Sequence, residues 1–176
     1  MRARKIFTTT WERINDRSWI YAGVGKGADI AAWKQAARAE LAATGRWQAG
    51  YAHALLDLVK AFERVPYWLL VRKGIELGYP LWLLRLSIAT YKLPRTLRVS
   101  RVYSVFIVAC RGITAGSGMA TTEMRLCMIR IVEKALVLRP TVVPTLFVDD
   151  LSAECTSLEA IILQELGGFI DVVAQE

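Results

Sequence analysis

The sequence predicts an α+β domain in which helices pack behind an antiparallel sheet. Three observations carry that expectation. Hydrophobic residues make up 54% of the 176 positions, and no repeat, low-complexity tract or linker divides them, so the chain is long and apolar enough to bury one core. Several stretches place apolar residues at helical spacing between proline and glycine stops. Others alternate, or run apolar for only a few residues, as strands do.

Residues 1–22 are basic and aromatic, with Trp11, Trp19 and Tyr21, and neither period dominates them. Gly23-Val24-Gly25-Lys26-Gly27 reads as a loop. Residues 28–43 are rich in alanine with glutamate and lysine, which predicts a helix stopped by Thr44-Gly45. A short buried strand follows over 52–56, with Asp57 immediately after it. The only histidine, His53, lies in that strand and reads as a packed residue rather than a ligand. Pro66 suits the first turn of a helix over 67–77 closed by Gly78, and Pro80 opens another that ends near Lys92-Leu93-Pro94. Residues 95–100 and 103–110 alternate enough to form a hairpin. Met124, Cys127, Met128, Ile131 and Ala135 set a helix over 117–138, with Thr121 or Thr122 as its cap and Glu123 in its first turn. A last helix is expected over 158–173, with Gly167-Gly168 as a point where it would break.

Two adjacent acids stand out. Val142-Val143-Pro144-Thr145-Leu146-Phe147-Val148-Asp149-Asp150-Leu151 is an apolar run with a charged pair inside it, which predicts a hairpin whose tight turn carries two carboxylates. Neighbouring carboxylates repel, so a fold that places them together calls for a cation. Asp57 is a third acid at a strand end. It is too distant for a local motif but well placed for a neighbouring strand of the same sheet.

The net charge is +7 and the isoelectric point about 9.6, which suits a polyanionic partner or a membrane surface, and equally a soluble protein kept apart by its charge. Cys110, Cys127 and Cys155 are scattered, an odd count without C-x-x-C spacing. That argues against a disulfide framework and a zinc site, and makes a reducing intracellular setting the default. No apolar run reaches the length of a membrane span, since the best, 79–90, is short and contains Arg85. The basic N-terminus lacks the apolar core of a secretory signal. The glycine-rich loop around Lys26 is not a phosphate loop, because Ile20 stands where its first glycine would be and Gly27 where Ser or Thr would be.

Three motifs in order carry a family resemblance. Leu56-Asp57-Leu58-Val59-Lys60-Ala61-Phe62-Glu63-Arg64-Val65-Pro66 resembles a D-x-x-K-A-F-D-x-V-P motif, and Phe147-Val148-Asp149-Asp150 an aromatic-x-D-D motif. Arg111-Gly112-Ile113-Thr114-Ala115-Gly116-Ser117-Gly118-Met119 occupies the place of a G-x-x-Q-G-S motif between them. The chain thus resembles the palm of a reverse transcriptase, an RNA-directed DNA polymerase, most of all those of retroelements without long terminal repeats. Residues 21–30 match the segment before the first motif loosely, through Lys26, Asp29 and Ile30.

The resemblance implies a polymerase palm-like antiparallel sheet backed by helices, with partial fingers over 1–50 and an incomplete palm over 51–176 that lacks a thumb. It implies nucleotidyl transfer with two magnesium ions, or manganese, held by Asp57, Asp149, Asp150 and the backbone carbonyl of Leu58. Phe62 would abut the sugar and exclude a 2′-hydroxyl, although periodicity alone makes it a core aromatic. Ala115 and Gly116 would face the nucleotide, and Lys26, Lys60 and Arg111 the nucleic acid; Lys60 and Arg64 read equally as solvated charges. The implied partners are an RNA template, a DNA primer and deoxynucleoside triphosphates, with no membrane, inside the cell in nucleus or cytoplasm; the oligomeric state is left open. Ala115 replaces the family's glutamine, Thr114 and Gly118 replace prolines, and Glu63 replaces an aspartate. A fragment or degenerate copy with weak activity alone is therefore expected. The alternatives are an inactive nucleic-acid-binding remnant and an RNA-dependent RNA polymerase relative, against which Phe62 speaks.

Overall fold

The computed structural model describes residues 2–44 and 50–175. Gly45, the expected stop after the first alanine-rich helix, lies outside them. The chain is mixed α and β, and it divides into two compact units, each built from two stretches of sequence.

Unit 1 comprises residues 1–15 and 60–127. It contains α1 (Arg2–Ile14), α3 (Ala61–Arg64), α4 (Tyr67–Glu76), α5 (Leu81–Tyr91), a ribbon of β2 (Arg98–Val99) and β3 (Val102–Tyr103), and the first turns of α6 (Ala120–Leu138). The α4–α5 pair follows its sequence signals closely. Pro66 precedes α4, whose end is a Schellman motif: Gly78 has φ +64°, its N–H donates to Ile75 O, and Tyr79 N–H donates to Gly74 O at 2.8 Å. Gly74 lets the helices approach closely, since a Cβ there would lie 2.9 Å from Leu84 Cδ2. Leu84, Ile88 and Tyr91 then bury one stripe of α5.

The N-terminal segment resolves into a helix because its rings find partners far along the chain. Trp11 Nε1 donates to Leu77 O at 2.8 Å, and its ring meets Tyr79 edge-on. Phe7 meets Trp82 in the same way. Neither threonine caps α6. The helix starts at Ala120, whose N–H donates to Ser117 O, while the buried Thr122 hydroxyl donates to Glu12.

The expected hairpin over 95–110 is much shorter in the structure. Only the pairs Arg98–Tyr103 and Val99–Val102 form a ladder, with one further bridge at Arg95–Ile107. Val99, Val102, Val105 and Phe106 are all exposed, so alternation along this ribbon selects no buried face to lengthen it.

Glu123 is fully buried in the first turn of α6. Tyr91 Oη donates to its Oε2 at 2.7 Å, and Oε1 has no partner among the described residues. Burial raises the Glu123 pKa above the ordinary carboxylate value, against the opposing hydroxyls of Ser87 and Tyr91. A raised folded-state pKa gives stability that is full below the unfolded value, roughly pH 4.3, and is lost as pH rises through the folded value. Glu123→Gln, which cannot ionise, should therefore unfold at higher urea than the parent at pH 8, by about 1–3 kcal/mol. The advantage should vanish near pH 4.

Unit 2 comprises residues 16–59 and 128–176. It holds α2 (Ala28–Ala43), the rest of α6, α7 (Glu159–Ala174) and an antiparallel sheet in the order β1 (Gly50–Leu56), β5 (Asp150–Ser157), β4 (Val142–Phe147). Register and period-two alternation divide its faces. Gly50, Ala52, Ala54 and Leu56 lie in rows with Ser157, Cys155, Ala153 and Leu151. This small and apolar face takes α7, whose Ile162, Leu166, Phe169 and Val173 are buried; a Cβ on Gly50 would sit 2.9 Å from Ile162. The opposite face carries Ser152, Glu154 and Thr145 and takes α2: Gln35 Nε2 donates to Ser152 Oγ at 2.5 Å, and Arg38 pairs with Glu154. Pro144 is tolerated because β4 is an outer strand of the ladder, flanked beyond by a short parallel bridge from Ile20 to Leu146.

Two expectations change in this unit. Gly167-Gly168 does not break α7; Gly168 instead leaves room for the Arg139 side chain, which is anchored to Glu165 at 3.1 Å. His53 lies on β1 but is exposed rather than packed, opposite Glu154. No helix among the described residues is long and apolar enough to cross a membrane.

Candidate functional site

The three acids gather at one end of the unit 2 sheet. The β1–β5 ladder closes at Leu56–Leu151, and Asp57 is the next residue. The β4–β5 ladder closes at Phe147–Asp150, leaving Val148 and Asp149 as a two-residue turn. Opposed residues in antiparallel strands have Cα atoms about 4.5–5.5 Å apart. The backbone at Asp57 therefore leaves the sheet within about one strand spacing of the start of β5. Asp57 and Asp150 are exposed and Asp149 is half-buried.

The turn that presents Asp149 is strained. Val148 has φ +63°, a conformation suited to glycine at the first position of a two-residue hairpin loop and disfavoured for a β-branched side chain. The left-handed region costs about 1–2 kcal/mol for such a residue, and Gly loses about 0.5–1 kcal/mol through unfolded-state entropy. Val148→Gly should thus be net stabilising, by about 0.5–1 kcal/mol in urea unfolding.

Asp150 also lines a pocket of about 150 Å³ with Leu55, Thr145, Phe147 and Ser152 on the sheet and Ala31 and Gln35 on α2; Asp57 and Asp149 do not line it. Among the described residues, no three His, Cys, Asp or Glu side chains come together to hold a metal. The three carboxylates thus share a sheet end but do not form a closed cage.

The remaining residues named from the sequence are distributed between the units. Leu58 is half-buried just beyond Asp57. Lys26 is engaged within unit 2, its Nζ donating to Asp16 Oδ1 at 2.8 Å and to Arg17 O at 2.9 Å. Lys60, Phe62, Arg111, Ala115 and Gly116 belong to unit 1. Lys60 is exposed with φ +54°, Phe62 is half-buried, and Arg111, Ala115 and Gly116 are exposed.

Sequence reading missed the Arg38–Glu154 pair and its companion Tyr51, whose phenol is held above its ordinary pKa by burial and then by the Glu154 carboxylate. The signal was present but faint: Gln35 and Arg38 lie three apart in an alanine-rich helix, and Ser152 and Glu154 two apart in a strand. Nor did it single out Arg95, which lines a second pocket in unit 1 with Arg111 and Thr114. No known protein-family model matches this sequence, and no curated protein was found that is similar to it.

Proposed function

We propose that the chain is a polymerase palm of the reverse transcriptase type, extending a DNA primer on an RNA template with deoxynucleoside triphosphates. The observation that carries this reading is the strand register that ends β1 just before Asp57, beside the start of β5 at Asp150 and next to the turn that carries Asp149, within motifs that resemble the family's in order and spacing. An all-oxygen donor set of Asp57, Asp149, Asp150 and the Leu58 carbonyl fits magnesium or manganese. Such ions need only one or two carboxylates and take the rest of their ligands from water and substrate phosphates, so an open group is compatible with them. Two bound ions would neutralise charge on the attacking 3′-oxygen and the leaving pyrophosphate. The Phe62 ring has no atom that accepts a hydrogen bond, so a sugar packed on it gains nothing from a 2′-hydroxyl. Ala115 offers no amide to a base or template, which predicts slow or inaccurate incorporation.

A second reading is a nucleic-acid-binding remnant without catalysis. The lack of a three-ligand group among the described residues and the loss of the glutamine at Ala115 favour it. Primer extension on an RNA template with magnesium separates the two. Incorporation of deoxynucleotides that disappears in Asp149→Asn supports the polymerase. Salt-sensitive RNA binding indifferent to magnesium, with no incorporation, supports the remnant.

A further inference from the structure

Unit 1 holds a cationic pocket that the metal chemistry does not use. Its wall is the 109–115 segment, seated on the turn of α3. Gly112 N–H donates to Val65 O and Ile113 N–H to Phe62 O, both at 2.8 Å. Gly112 has φ +99°, and a Cβ there would lie 3.0 Å from Glu63 O, so only glycine allows this seat. The loop is thereby fixed before any ligand arrives.

The pocket is about 270 Å³ and is lined by Glu63, Tyr91, Arg95, Arg111, Thr114 and Ala115, among others. Tyr91 and Ile113 are buried and close its inner side. Arg95 Nη2 donates to Thr114 Oγ1 at 3.1 Å, which ties that guanidinium to the wall and leaves the hydroxyl proton free to donate elsewhere. Among the described residues neither Arg95 nor Arg111 has a carboxylate within ion-pair distance, although Glu63 also lines the space. Arg95, held on the Thr114 hydroxyl, and Arg111 line the same concavity without an ion-pair partner among the described residues, and two arginines with a hydroxyl supply the donor types that a tetrahedral oxyanion takes.

We infer that this pocket binds a phosphate group, carried by a nucleic-acid backbone or by a free nucleotide. The volume lies below that of most small-molecule sites and suits a phosphate with part of its sugar. The inference rests on the nucleic-acid reading above for the source of the phosphate, but not for the pocket's chemistry, which needs no metal.

The test uses the full chain in EDTA, with inorganic pyrophosphate, a deoxynucleoside triphosphate and a fluorescent single-stranded RNA as probes. Binding is expected without divalent ions. Arg95→Gln and Arg111→Gln should each weaken it at least about tenfold, the weight of a charged hydrogen bond. Arg98→Gln, on the exposed ribbon outside the pocket, should change it little. Ala115→Glu puts a carboxylate on an exposed lining position and should abolish it without touching the core. RNA binding that pyrophosphate displaces, and that the same variants lose, assigns the site to backbone phosphate. Binding confined to pyrophosphate and triphosphate assigns it to a free nucleotide. Unchanged affinity in both arginine variants, or an equal loss in Arg98→Gln, overturns the proposal. Asp57→Asn/Asp149→Asn should retain this binding, so a failed polymerase reading and a failed phosphate pocket give different results.

Discussion

Arg38→Met is expected to destabilise the chain by about 1–3 kcal/mol, the cost of leaving the buried Glu154 carboxylate without its charged donor, since Arg38 itself keeps 27% of its side chain exposed. Glu154 lies on the middle strand with 1% of its surface exposed, and Arg38 Nε is the donor that compensates it. The pair is incompletely satisfied even when intact, since Glu154 Oε1 and Arg38 Nη2 are buried without partners among the described residues. Methionine preserves much of the aliphatic stem and removes only the charge and donors, leaving Glu154 to the Tyr51 phenol. Replacing both members, Arg38→Met with Glu154→Leu, should recover most of the loss, because an apolar pair of similar volume has no desolvation to offset. Urea unfolding of the two single variants and the double variant measures the coupling directly. A single-variant loss below about 1 kcal/mol, the range of exposed pairs, would show that the charges are solvated and that α2 is held by packing alone.

This pair also marks the boundary of what local sequence reveals. Elements set by their own neighbours were legible: Pro66, Gly78 and Pro80 punctuate α4 and α5 where expected, and the Ile162–Leu166–Phe169–Val173 stripe of α7 follows from helical period. The hairpin was legible for the same reason, since apolar strands flank a charged break, but its two-residue turn is Val148-Asp149, one position earlier than the expected Asp149-Asp150, and Asp150 begins β5. What failed depended on distant partners. The helix α1 exists through Trp11 reaching Leu77, and Gly168 stays helical because Arg139 fills its missing side chain. The 95–110 ribbon reads as two good strands, but length in a hairpin comes from burying one face, and this one buries neither. At the candidate site the sequence suggested that Asp57 and Asp149–Asp150 end neighbouring strands, and the register has that form. The positive φ of Val148 in the turn that presents Asp149 is a feature that period and composition do not encode.

The second large effect has a double signature that only a cation site produces. With divalent ions removed, Asp149→Asn should be slightly more stable than the parent, by some tenths to about 1 kcal/mol, because one of several like charges at the sheet end is gone. With magnesium in tenfold excess over its dissociation constant, the parent should gain about 1.4 kcal/mol by mass action, while Asp149→Asn and Asp57→Asn gain little. The order of stabilities therefore inverts on adding the ion. In primer extension the same two substitutions should lower incorporation by two or more orders of magnitude, about 3 kcal/mol or more of transition-state stabilisation. Solvated turn acids would show the first half of this pattern without the second, since relieving repulsion needs no bound ion. Parent and variants gaining equally from magnesium, in scanning calorimetry at fixed ionic strength, would remove Asp57 and Asp149 from any shared cation site and leave the nucleic-acid-binding remnant as the reading.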